Sequence, residues 1–278
     1  MKNWQTKFAS DFGTETPIMG MVHLKPLPGS PLYDADKGME DIIETALTDT
    51  RALNEGGVDA IQIENQFDRP FLKGEDVGFE TVAAITAATE AIKRETKLPL
   101  GINVHLNGVN QAIAIALATG CRWIRAFELA NAYVSNSGIV EAAGPAALRY
   151  RSFLKADDKV MIFGDFHVKH GSHALIEDRS LEEQAEDVET SMGDALIVTG
   201  LKTGSAPSLE DIQPIRNAVS IPILIGSGLS YDNLDTLLPA VNGAIVGSSF
   251  KKDGKLTSLI DAERVKKFMD KVRSIRTA

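Results

Sequence analysis

A chain of 278 residues, 44% hydrophobic and 24% charged, holds enough apolar material for one large packed domain. Its formal net charge of −9 argues against broad nucleic-acid binding. The single cysteine, Cys121, excludes an internal disulfide and a zinc-type cysteine cluster.

Residues 1–8 carry no apolar run of the kind a secretory leader needs, so the reading begins with a polar N-terminal extension, residues 1–16, covering the domain or flexible. Short apolar runs then recur at 17–23, 58–64, 98–104, 122–126, 160–167, 195–199, 221–226 and 243–247, and each reads as a buried strand. Amphipathic stretches at 39–55, 80–95, 181–192 and 209–219 lie between them and read as helices. Gly56-Gly57 and Gly120 stand where helix C-caps belong, and Ser208 with Asp211 forms a capping arrangement. The apolar stretch 112–118 is too short to span a bilayer, so a cytoplasmic protein is expected.

Alternation of strand and helix predicts a parallel sheet, and eight units predict closure into a single-domain (β/α)8 barrel, a fold of about 250 residues. An open doubly wound sheet would carry a glycine-rich loop after its first strand; here that strand runs into His23-Leu24-Lys25-Pro26-Leu27-Pro28-Gly29. Two connections look long, 25–37 and 65–78, and both follow strands, on the face where barrel active sites are built.

Two turns predict an anion pocket. Gly226-Ser227-Gly228 and Gly247-Ser248-Ser249 end consecutive late strands, where glycine lets backbone N–H groups approach a phosphate and serine adds hydroxyl donors. Side chains on a strand alternate, so His23, Glu64, Asn103, His105, Arg125, Asp165, His167 and Thr199 should face the barrel mouth, with Lys169 joining them if the fifth strand stays extended. Polar groups converging from six strands are costly unless a site pairs or wets them. Asp165 is the expected principal acid or base, with Glu64 and His167 as partners and His23 as a further catalytic candidate. Arg125 and Lys169 would stabilise charge, and Asn103, His105, Thr199 and Lys202 would bind substrate. Each residue also has a plainer role open to it: Asp165 in a salt bridge with Arg125, Glu64 capping a loop amide, His23 as a core histidine. Metal ligation by Glu64, Asp165 and His167 stays a lesser alternative, because no H-x-H or H-E-x-x-H spacing occurs.

Several segments resemble the BtpA/SgcQ family. Met21-Val22-His23-Leu24-Lys25-Pro26-Leu27-Pro28-Gly29-Ser30-Pro31 is similar to its opening signature, followed by Ile63-Glu64-Asn65, Thr81-Val82-Ala83-Ala84, Asn103-Val104, Leu148-Arg149-Tyr150-Arg151 and Val168-Lys169-His170. Gly226-Ser227-Gly228 and the run from Gly247 through Lys251 to Gly254 complete the likeness. The resemblance implies a phosphate-binding barrel. One branch of the family is named for photosystem I accumulation and another is associated with sugar uptake, which imply an assembly factor and a carbohydrate enzyme respectively. His105-Leu106-Asn107-Gly108 and Ala126-Phe127-Glu128 depart from the family pattern at strand ends, which bears on substrate identity. The expectation is an enzyme on a small phosphorylated metabolite, a sugar phosphate or phosphoribosyl compound. It would work without a cofactor and as a homo-oligomer, by isomerisation, lyase chemistry or glycosidic cleavage. A non-catalytic assembly factor and a metal-dependent hydrolase are the alternatives.

Overall fold

The structure, a computed structural model, describes residues 4–200 and 206–277. Helix α1 (Trp4–Phe12) precedes strand β1 (Ile18–His23), and α2 (Gly38–Gly56), β2 (Ala60–Glu64), α3 (Phe79–Glu95), β3 (Leu100–Asn103), α4 (Val109–Thr119) and β4 (Trp123–Ala126) follow. A small hairpin, β5 (Ala132–Ser135) and β6 (Gly138–Glu141), leads to α5 (Gly144–Phe153) and β7 (Met161–Phe166). The chain finishes with α6 (Leu181–Thr190), β8 (Ala195–Val198), α7 (Leu209–Ala218), β9 (Ile223–Ile225), α8 (Leu234–Leu237), β10 (Ala244–Val246) and α9 (Ala262–Arg276).

Eight of these strands close into a parallel barrel in the order β1-β10-β9-β8-β7-β4-β3-β2. Helices cover its outer face, so every residue of the barrel strands is buried, as their continuous apolar runs require. Ile61, Ile63, Ile102 and Ile124 point outward into the main core beneath the helices. Met19, Trp123, Phe163, Ile197 and Leu224 point inward and fill the barrel. Trp123 fits because Gly101 on the neighbouring strand has no side chain: a Cβ there would lie 2.0 Å from the indole. The indole N–H donates to Gln62 Oε1 at 3.0 Å, which satisfies the buried donor.

Within the N-terminal extension, α1 closes the floor. Phe8 lies 6.1 Å from Phe163 and Phe12 lies 5.4 Å from Trp123, ring centre to ring centre. Gly57 and Gly120 end α2 and α4 in the left-handed conformation, and Ser208 caps α7 with a reciprocal Asp211 contact.

Two sequence expectations need correction. Long connections number more than two: residues 127–143 carry the hairpin, and 167–180 form another excursion above the mouth. The four-residue strands β5 and β6 were too short for their pattern to stand out. Leu106, Phe127, Tyr133, Val140 and Val168, with Phe71 against them, form a separate apolar cluster that gathers these loops into one layer.

The fifth barrel strand, β7, also stops early, at Phe166. His167 takes the left-handed conformation, φ 47°, so the alternation that would have aligned it with Asp165 ends there.

Candidate functional site

Strand register assembles the mouth. His23 pairs with Glu64, Glu64 with Asn103, and Asn103 with Arg125, so four polar residues on β1, β2, β3 and β4 form one unbroken row around half the rim. Glu64 is its centre. His23 Nε2 lies 3.5 Å and His105 Nε2 3.6 Å from Glu64 Oε1, while Asn103 donates to Oε2 at 3.0 Å. Burial pushes the Glu64 carboxyl up, but His105 and His23 beside it outweigh this and hold it well below the usual carboxylate range. His105 stacks on Phe71 at 4.2 Å and meets Phe127, tilted by 45°, at 4.7 Å, which holds its ring beside the carboxylate.

Arg125 and Asp165 form the second cluster. The guanidinium donates from Nε and Nη2 to both carboxylate oxygens at 2.7 Å, a bidentate pair. Asp165 is fully buried. Its carboxyl is raised by that burial, against the opposing pull of Arg125. With both oxygens engaged and no surface exposed, Asp165 fixes the plane and position of Arg125.

Arg125 in turn reaches the first glycine turn, since a Cβ on Gly226 would lie 2.9 Å from its Nη2. Lys169 Nζ donates to Ser227 Oγ in the same turn, and its backbone N–H donates to Thr199 Oγ1 at 3.2 Å. Burial, then the Arg125 charge, holds Lys169 below the usual ammonium value.

The two turns adjoin each other. Gly228 has φ 87° and lies against the Ala206 backbone, where a Cβ would come within 2.6 Å. Ser248 and Ser249 open a short 3₁₀ turn to Phe250, so their N–H groups have no carbonyl behind them within it. Ser249 Oγ donates to Leu229 O at 2.7 Å and ties the second turn to the first. Gly247 lies against the His23 ring, 3.2 Å from Cε1 by the same measure, which brings that imidazole between Glu64 and the turns.

His167 is not part of this constellation. Its Nδ1 lies 3.3 Å from Gln184 Oε1 on α6, and its ring stacks on His173 at 3.9 Å. The cause is the early end of β7. The alternative metal set of Glu64, Asp165 and His167 is dispersed with it, and among the described residues no group of three or more His, Cys, Asp and Glu side chains is arranged to hold a metal ion. Lys202 lies outside the described residues. Lys251, within the last family-like segment, turns inward to Asp49 at 2.5 Å.

One residue of the site carried too little signal to be singled out: Glu128, on the loop after β4. It is buried, and its Oε2 has no hydrogen-bond partner among the described residues. Burial, with the Asp165 charge nearby, pushes its carboxyl up to about 9. Asn107 fixes its backbone from both sides, accepting from Glu128 N at 3.1 Å and donating to Glu128 O at 3.0 Å. An acidic residue in a loop is ordinarily solvated; burial, reinforced by the Asp165 charge, is what raises this one.

The closed parallel barrel, with its polar row and glycine turns on the C-terminal rim, defines a (β/α)8 or TIM-barrel protein. The chain belongs to the BtpA family, whose model matches residues 14–274. It is 40% identical over 255 residues to an uncharacterized protein of Archaeoglobus fulgidus, covering 92% of this chain and 98% of that one. It is 37% identical over 260 residues to the photosystem I biogenesis protein BtpA of Synechocystis, covering 93% and 88% respectively. Among solved structures it is similar in fold to tryptophan synthase from M. tuberculosis, with a TM-score of 0.60, 16% identity and 98% of each chain covered. N-(5'-phosphoribosyl)anthranilate isomerase from Pyrococcus furiosus gives 0.54 at 13% identity, covering 95% of this chain and all of that one. At such identities the likeness is one of fold. Among the described residues no helix is long and apolar enough to cross a membrane.

Proposed function

We propose that this protein is an enzyme acting on a small phosphorylated metabolite, a sugar phosphate or phosphoribosyl compound, by acid–base chemistry. The observation that carries the reading is the Glu64 carboxylate held between two imidazoles, one of which packs on a glycine turn suited to phosphate. The phosphate would rest on the Ser227–Gly228 and Ser248–Ser249 backbone, with Lys169 beside it. Glu64 takes a proton through His23 or His105, and Glu128, neutral at pH 7, gives one. Two carboxyl groups whose surroundings push them in opposite directions are the usual mark of a base and its partner acid. Asp165 keeps a positioning role through Arg125, whose charge stabilises the developing anion. Isomerisation, lyase chemistry and glycosidic cleavage all use such a pair. The named functions of the structural neighbours, an isomerase of a phosphoribosyl compound among them, support this class of substrate.

Calorimetry with inorganic phosphate, followed by proton-exchange NMR with phosphorylated sugars in D2O, tests the proposal. Wild-type protein is expected to bind phosphate, and Gly228→Val and Ser248→Glu to abolish it. Glu64→Gln should bind normally and exchange on the order of 10²–10⁴ more slowly. Unchanged phosphate binding in both turn variants would remove the pocket, and full exchange in Glu64→Gln would remove the base.

The name of the Synechocystis relative favours a second reading, an assembly role on a barrel scaffold. That reading expects Glu64→Gln to perform as well as wild type in a cell that depends on the protein.

A further inference from the structure

The charge arrangement above the mouth extends past the phosphate turns. Its two engaged carboxylates are matched, Glu64 by imidazoles and Asn103, and Asp165 by Arg125. Among the described residues two cations there pair with no carboxylate: Lys169, whose ammonium is on Ser227, and Arg69. Arg69, exposed on the loop after β2, has no carboxylate within ion-pair distance among the described residues. The adjacent Asp68 does not serve it, because its oxygens accept from Leu27 N at 3.0 Å and Asn65 Nδ2 at 3.2 Å.

Two contacts fix where Arg69 stands. With its amide oriented to satisfy both neighbours, Gln66 donates to Glu64 Oε1 at 2.9 Å and accepts from Arg69 Nη2 at 2.8 Å. The guanidinium carbon lies 5.7 Å above Phe71, which stacks on His105, the imidazole facing Glu64. On the β7 side, burial first and then the charges of Lys169 and Arg69 hold His170 below its ordinary value. Through Gln66 and Phe71, Arg69 stands over the Glu64 and His105 side of the mouth. The backbone of the loop after β7 is left-handed at both His167 (φ 47°) and His170 (φ 70°), a costly shape for side-chain-bearing residues.

We infer that Arg69 forms a second anion subsite on the Glu64 and His105 side of the mouth, apart from the phosphate turns, and that the substrate is a phosphorylated acid whose carboxylate it receives. This rests on the phosphate reading above and deepens it. A guanidinium presents a flat fork of donors that matches a carboxylate, and Gln66 and Phe71 hold the fork on its other sides. A protein of net charge −9 repels anions at long range, so a cluster of cations here concentrates attraction at one place.

Calorimetry with two matched pairs of probes tests the inference on the full chain. One pair is 3-phosphoglycerate and glycerol 3-phosphate; the other is 6-phosphogluconate and sorbitol 6-phosphate. Members of each pair differ in a carboxylate against a hydroxymethyl group. Wild-type protein is expected to prefer the acid by about tenfold or more in at least one pair, the worth of a charged hydrogen bond. In Arg69→Met, a change at an exposed side chain, that preference should fall close to one. Equal affinities within both pairs while inorganic phosphate still binds would overturn this inference alone. A preference that survives in Arg69→Met would overturn the role of Arg69. Failure of inorganic phosphate itself to bind would bring down the phosphate reading and this inference with it.

Discussion

Glu64 and Glu128 show how one rim gives the same side chain opposite chemistry. Glu64 meets two imidazoles and an amide, whereas Glu128 is buried with Oε2 lacking a hydrogen-bond partner among the described residues and feels the Asp165 charge. The second case has a consequence for stability. A carboxyl whose value rises from 4.5 to about 9 on folding favours the fold fully below 4.5, and that contribution is lost progressively as pH rises toward 9. At pH 7 the difference amounts to about 3 kcal/mol. Glu128→Gln keeps the shape without the titration. Thermal unfolding of the two proteins should therefore coincide near pH 4 and separate above it, with the variant several degrees more stable at pH 8. Parallel profiles from pH 4 to 9 would show that Glu128 ionises normally. Asp165 illustrates the same dependence on surroundings: its position on the strand was legible and a salt bridge with Arg125 was one of its open roles, while the engagement of both its oxygens was not legible. His167 was misplaced because alternation was carried one residue past the point where the strand turns.

Two elements outside the mouth keep it in shape. Helix α1 covers the floor of the barrel with Phe8 and Phe12, so the interior aromatic residues are shielded from water at the end opposite the site. Phe8→Ala should cost about 3–5 kcal/mol, read as a fall in the denaturation midpoint with an unchanged slope. The connection from β10 to α9 is clipped at Lys251, whose ammonium meets Asp49 of α2 in a fully enclosed pair, while Asp49 also accepts from Ile260 N at 2.8 Å. Lys251→Met leaves Asp49 charged and without its cation, and should cost about 3–5 kcal/mol. Because the Ser248–Phe250 turn lies just before Lys251, phosphate affinity should fall in the same variant, measurable by calorimetry. A loss of under 1 kcal/mol with unchanged affinity would show that the clip does not hold the turn.

At the scale of the whole molecule, the barrel brings together residues that are more than 200 positions apart, such as His23 and Gly247. A ligand that bridges such positions binds only the folded chain and should stabilise all of it. Inorganic phosphate at 100 times its dissociation constant is expected to add about 2.7 kcal/mol and raise the melting temperature by several degrees, an effect absent in Ser248→Glu. A melting temperature that ignores phosphate would mean that the turns do not form a pocket.

The sequence by itself determined the eight strands and their closure, because apolar runs and amphipathic helices follow local periods of 2 and 3.6 residues. It likewise determined which residues top the first four strands, since alternation within a strand is fixed by backbone geometry; the row from His23 through Glu64 and Asn103 to Arg125 was readable on those grounds. Only the tertiary structure decided what those side chains do to one another. Register brought Glu64 between His23 and His105, packing of distant loops buried Glu128, and the reach of Arg125 claimed both oxygens of Asp165. Such relations depend on distances between strands and on the local dielectric, and neither quantity is carried by the order of residues along the chain.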